Sequence, residues 1–239
     1  MFPYITNRMD YQDLAALVDY HLSSPLMTEE QVHEGCMRGQ AYQVRSVVVR
    51  PCDLDLAKEW VSAPLRLASR TSAAPGDSTT AVKQFEVRDM LRRGAVDVEA
   101  KVSLPKLMSR QFQYVEIELM QLLKTCEEGG ATLTASVDAS VLDEERLLIL
   151  CKMAKRSGVS MLSASEYRAE QVEKIIAKCA PYVTLKLMVD GKSLEEVLAL
   201  KQMGVARFGV RHPGPLLDAW KLHLEALKET EKPSDAVLS

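Results

Sequence analysis

The sequence predicts an α/β fold, a single (β/α)8 TIM barrel, and three observations carry that prediction. Short β-branched runs alternate with longer helical patterns, the alternation repeats about eight times, and the spacing stays regular from end to end. Strands that alternate with helices pair in parallel, because every parallel connection needs a crossover. Eight such units can close into a barrel or open into a doubly wound sheet. No GxGxxG, GxxxxGKS or GxxxxGKT segment occurs, which removes the main phosphate-loop evidence for an open nucleotide-binding sheet. A length of 239 residues suits one barrel. The expected organisation is therefore one domain over 1–239, with the polar end at about 229–239 loose.

The strands are expected at Ala16–Leu22, Arg45–Arg50, Leu65–Ser69, Ala95–Val102, Thr132–Val137, Ser160–Ser163, Tyr182–Met188 and Ala206–Val210. Between them lie stretches with apolar residues three and four apart. Thr28 opens one, with Glu29, Glu30 and Gln31 behind it in a capping-box arrangement that satisfies free backbone donors. A second begins at Thr79 and stops at Gly94. A third, LDEERLLILCKMAKRSG, stops at Gly158, and both glycines suit a left-handed helix end.

Composition narrows the function classes. A formal charge of -3 gives no support for nucleic-acid binding, which would need a basic face. No apolar run is long enough to span a bilayer, and the N-terminus lacks the regions of a signal peptide, so a cytoplasmic protein is expected. Five cysteines, none at CxxC spacing, read as reduced thiols, with Cys36, Cys126, Cys151 and Cys179 as small buried hydrophobes in helices. The four histidines show no ligand spacing, so no metal is expected, and no cofactor is implied.

Five segments, in order, resemble the deoxyribose-phosphate aldolase family. DYHLSSP at Asp19–Pro25 is similar to its first strand and Asp-His-Thr-Leu motif, and VVVRPCDLDLAKE at Val47–Glu59 to its second strand. GDSTTAVKQFE at Gly76–Glu86 resembles its Gly-Ala-Asn-Thr-Thr loop, and GAVDVEAKV at Gly94–Val102 its strand Gly-Ala-Asp-Glu-Ile-Asp-Met-Val. LKLMVDGKSLEEVLAL at Leu185–Leu200 resembles its seventh strand and the next helix. The resemblance implies a class I aldolase, in which a strand-six lysine forms a Schiff base, a strand-seven lysine lowers its pKa, and a strand-four aspartate relays protons. Such an amine must be neutral near pH 7 to attack a carbonyl, and a neighbouring ammonium supplies that shift.

Carried over onto this chain, that constellation is broken. Ser163 stands at the Schiff-base position, where serine cannot form an imine. Lys186 remains at the strand-seven position, and Glu99 replaces the strand-four aspartate. The family's Ser-Gly-Gly phosphate loop aligns with Met188, Val189 and Asp190, and its small serines after strand eight align with Arg211 and His212. Glycine lets backbone N–H groups approach a phosphate closely, whereas an aspartate repels one.

Alternation along a strand puts Lys101 on the same face as Glu99, and if Glu99 holds the inward aspartate position that the resemblance implies, Lys101 also points into the barrel near its C-terminal mouth. Lys101 and Lys186 then form a new amine pair, or Glu99 and Lys101 form an ion pair that fills the vacated site. The ion pair is preferred, because buried charges usually persist only when paired. Asp19, by resemblance, orients Lys186 or the neighbouring loop. Lys192, Arg211 and His212 form a basic set that binds a phosphate or carboxylate, unless Arg211 pairs with Asp190. Cys52 and His21 raise a cysteine–histidine hydrolase, for which packing and polar roles are the preferred alternative.

The leading expectation is an aldolase-like barrel without the Schiff-base lysine. It is inactive on deoxyribose 5-phosphate and binds a small anionic or carbonyl ligand, or an unknown protein partner. The alternative is an active carbon–carbon lyase using Lys101 or Lys186 as its amine. Neither nucleic acid nor membrane is an expected partner, and the resemblance leaves a homodimer open.

Overall fold

The computed structural model describes residues 9–71 and 76–230. Its strands are β1 (Val18–Leu22), β2 (Ser46–Val49), β3 (Arg66–Arg70), β4 (Asp97–Lys101), β5 (Thr132–Val137), β6 (Met161–Ala164), β7 (Thr184–Met188) and β8 (Val205–Val210). They run parallel in sequence order, and β8 pairs with β1 to close the barrel. The helices are α1 (Tyr11–Ala15), α2 (Glu29–Ala41), α3 (Leu54–Trp60), α4 (Thr80–Arg92), α5 (Leu104–Met108), α6 (Phe112–Glu128), α7 (Glu144–Ser157), α8 (Ala169–Cys179), α9 (Leu194–Met203) and α10 (Gly214–Thr230). No helix among the described residues is long and apolar enough to cross a membrane. The expected loose tail falls outside the described residues from 231 onward.

Local chemistry sets the helix ends. The Thr28 side chain accepts from the Gln31 N–H while the Gln31 side chain accepts from the Thr28 N–H, so α2 begins with two of its free donors satisfied. Gly158 caps α7 at φ +82°, a left-handed conformation that a Cβ would disfavour. Ala16 was expected to start the first strand, but Asp10 and Asp13 form a capping box that starts α1, and Ala16 closes that helix. The strand therefore begins two residues later.

Alternation divides the side chains between two cores. The outward residues Val47, Val49, Leu67, Val98, Leu133 and Leu187 join the large cluster beneath the helices. The barrel interior is unusually polar for a fold whose centre is dominated by bulky branched residues. At its base Arg45 donates to Asp19 at 3.2 Å and to Asp97 at 3.0 Å, and Arg66 donates to Asp97 at 2.8 Å. Thr132 also hydrogen-bonds Asp97. These partners keep the buried Asp19 and Asp97 charges satisfied.

A second buried ion pair lies outside the barrel. Lys83 on α4 and Glu118 on α6, 1% and 0% exposed, meet at 2.9 Å. Lys83 also donates to the Lys101 carbonyl at 2.8 Å, and Glu118 accepts from the Ser103 N–H at 3.2 Å. The pair thus ties two helices to the end of β4, where Lys101 enters the mouth.

Candidate functional site

The C-terminal ends of the strands surround a cavity of about 770 Å³, whose lining includes His21, Arg70, Glu99, Lys101, Ser136 and Ser163. Strand register explains the grouping. Lys101 stands opposite Ser136, Ser136 opposite Ser163, and Ser163 opposite Lys186, so one row crosses four strands on the inner face. Ser163 is 2% exposed, with the Lys186 strand position beside it.

Lys186 is 1% exposed, and its Nζ lies 2.8 Å from Asp19 Oδ2 and in contact with Glu99 Oε1. Burial works to lower its pKa, but the Asp19 and Glu99 charges and their hydrogen bonds outweigh that and raise it. Burial likewise pushes both carboxyls up, and Lys186 more than reverses the effect, holding Asp19 and Glu99 below their ordinary range. Asp19 is oriented further by Ser46 Oγ at 2.6 Å and by Arg45. Two carboxylates therefore compensate the charge of the Lys186 ammonium.

The preferred Glu99–Lys101 ion pair is not formed. Glu99 turns to Lys186 instead, because Asp19 and Glu99 converge on that amine from across the barrel. Lys101 Nζ donates to Ser136 Oγ at 3.1 Å. No carboxylate lies within ion-pair distance of Lys101 among the described residues. Burial lowers the Lys101 pKa, Glu99 opposes this, and Arg70 adds to it.

Arg70 and Ser136 are members of this site that the sequence reading missed. Arg70 ends β3 opposite Glu99, and its only hydrogen bond among the described residues goes to the Ser23 carbonyl at 3.3 Å. Its inward parity was readable once the strand was extended to residue 70. His21, expected in a polar or packing role, also reaches the cavity. Its side chain is 9% exposed, and Nε2 lies 3.7 Å from Glu99 Oε1 without a hydrogen-bond partner. Burial and Lys186 lower its pKa to about 4 against the opposing charge of Glu99. Cys52 is exposed, faces Asp53 Oδ1 at 3.8 Å, and is not part of the cavity wall that His21 joins. The buried cysteines are Cys36, Cys126, Cys151 and Cys179.

The three residues of the basic set are only partly brought together. Arg211 and His212 border the main cavity, while Lys192 borders a smaller recess beside it. Asp190 Oδ1 accepts from the Arg211 N–H at 2.7 Å, its Oδ2 lies 3.8 Å from Arg211 Nε, and Lys192 faces Glu196 at 3.4 Å. The Arg211–Asp190 pairing weighed against anion binding is thus present.

Among curated proteins the chain is 26% identical over 206 residues to the deoxyribose-phosphate aldolase of Thermococcus gammatolerans, covering 82% of this chain and 92% of that protein. It is 22% identical over 220 residues to the enzyme of that name from Bacteroides thetaiotaomicron, covering 89% of this chain and 92% of that one. The chain is thus similar over most of its length to proteins named deoxyribose-phosphate aldolase, at 22–26% identity. No family model matches it. The solved deoxyribose phosphate aldolase of Aeropyrum pernix shares the fold at a TM-score of 0.80 and 22% identity, over 90% of this chain and 94% of that one.

Proposed function

We propose that this aldolase-like barrel binds a small anionic carbonyl compound in its mouth and does not cleave deoxyribose 5-phosphate. One observation carries the reading: the barrel interior holds more positive charge than its carboxylates compensate. Arg45, Arg66 and Lys186 are held by Asp19, Asp97 and Glu99. Arg70 and Lys101 remain on the cavity wall without a carboxylate partner among the described residues. A low-dielectric cleft lined by one sign of charge concentrates the opposite sign. Cleavage by the family route lacks its amine, because the Ser163 side chain carries no nitrogen and the two carboxylate neighbours of Lys186 favour its protonated form.

The test pairs a coupled assay for acetaldehyde and glyceraldehyde 3-phosphate with calorimetric titration of pyruvate. Expected are no cleavage above background and a binding heat that falls in Arg70→Gln and in Lys101→Met. Turnover of deoxyribose 5-phosphate by the unmodified chain overturns the reading.

A second reading has its own observation. Lys101 combines an amine without a carboxylate partner among the described residues, a lowered pKa and a hydroxyl acceptor at 3.1 Å, which favour a nucleophilic lysine. On this reading the amine has moved from strand six to strand four, and the chain is a carbon–carbon lyase using Lys101. Lys186, the other amine weighed for that role, keeps its proton.

A further inference from the structure

We infer that the mouth recognises a carboxylate-bearing carbonyl compound, a 2-oxo acid or aldehydo acid, with Arg70 clamping the carboxylate and Lys101 condensing with the carbonyl. The inference rests on the reading of Lys101 as the amine and names the substrate class of that same site.

Register places the two groups together. Arg70 stands opposite Glu99, and Lys101 follows two residues later on the same inner face. With strands ~4.8 Å apart and ~3.3 Å per residue, their Cα atoms are about 8 Å apart along a diagonal. Two side chains of that length converge on one small molecule, so its anionic group and carbonyl must be only a few atoms apart. Both residues border the cavity, and Arg70 enters the electrostatics of Lys101 and of His21.

The opposite rim is unsuited to phosphate. Asp190 occupies the Arg211 backbone N–H at 2.7 Å, and Lys192 lies 3.4 Å from Glu196. A carboxylate therefore lines the small recess beside that rim, with Met188 on the wall shared by the recess and the main cavity. On the β3–β4 side the cation is a guanidinium, whose planar fork matches a carboxylate in two parallel hydrogen bonds. One guanidinium and one amine suit a single carboxylate next to a carbonyl better than a dianion needing several backbone donors.

The covalent step balances without any oxidant. The Lys101 Nζ lone pair adds to the carbonyl carbon, forming the C–N bond while the C=O π electrons move to oxygen, which takes a proton. The nitrogen loses a proton, and the carbinolamine then takes up one further proton and expels its hydroxyl as water, leaving the protonated imine. Ser136 Oγ, 3.1 Å from Nζ, aligns the amine, and His21 Nε2, without a hydrogen-bond partner among the described residues, borders the same cavity.

The experiment treats the full chain with pyruvate or acetaldehyde in the presence of cyanoborohydride, which reduces any imine, and maps the adduct by peptide mass spectrometry. The expected adduct is on Lys101, is absent in Lys101→Met, and forms with pyruvate in preference to acetaldehyde. In Arg70→Gln the pyruvate-to-acetaldehyde trapping ratio falls about tenfold, the size of losing one charge-assisted partner. The ratio is read because Arg70 also affects the basicity of Lys101, which cancels between the two carbonyls. An adduct confined to other lysines, or a ratio unchanged in Arg70→Gln, overturns the inference. If pyruvate binds calorimetrically and is not trapped, the condensation fails while the anion-binding reading stands. If it neither binds nor is trapped, both fall.

Discussion

Acid should destabilise this barrel through His21 before it reaches the carboxylates. The imidazole is buried at the mouth, sees Lys186, Glu99, Asp19 and Arg70, and has a pKa lowered to about 4. A histidine whose folded pKa lies below its unfolded value takes up a proton on unfolding, so its stabilisation is complete above about pH 6.5 and is lost as pH falls toward 4. Between pH 7 and 4.5 the linkage integrates to about 2–3 kcal/mol, with Asp19 and Glu99 entering mainly below their unfolded values of about 4. The perturbation is His21→Gln, which keeps a polar side chain and removes the titration. The assay is equilibrium urea unfolding of both proteins at pH 7 and pH 4.5. At a slope of about 3 kcal/mol/M, the wild-type midpoint should fall about 1 M further than that of the variant. Equal pH dependence in the two proteins, or an imidazole that titrates near pH 6.5 by NMR, would refute the reasoning.

Three further outcomes are expected. Lys83→Met strands the fully buried Glu118 charge and should cost about 3–5 kcal/mol, while Lys83→Met with Glu118→Leu should recover part of it; thermal melts in which the two losses simply add would contradict the burial argument. Gly209→Ala places a Cβ 2.3 Å from Met188 Sδ, 3.1 Å from His21 Nε2 and 3.3 Å from Lys186 Cε. Overpacking of this kind costs about 1–3 kcal/mol, so a melting temperature within error of wild type would count against the packed geometry. Ser163→Lys restores an amine beside Lys186, yet positioning is worth ~7–11 kcal/mol of a barrier. It should form imines with small aldehydes without efficient cleavage of deoxyribose 5-phosphate, and ordinary enzyme turnover by that single variant would show that the phosphate site was never lost.

Sequence alone determined the barrel, because period-two and helical patterns are local and parallel strands demand crossovers. The same local logic located the caps at Thr28 and Gly158 and put Glu99 and Lys101 on one face, while the placing of Ser163 and Lys186 came from the family resemblance. Which charge answers which was not local. Glu99 and Lys101 are two residues apart, yet Glu99 is 87 positions from the lysine it actually contacts. Lys83 and Glu118 looked like ordinary charges on two amphipathic helices until packing buried them together. Arg70 became a cavity residue only when β3 ran one residue further than its apolar pattern. Ion pairs across a closed barrel are set by register and shear between distant strands, and a one-dimensional pattern specifies the parity of a side chain but not its partner.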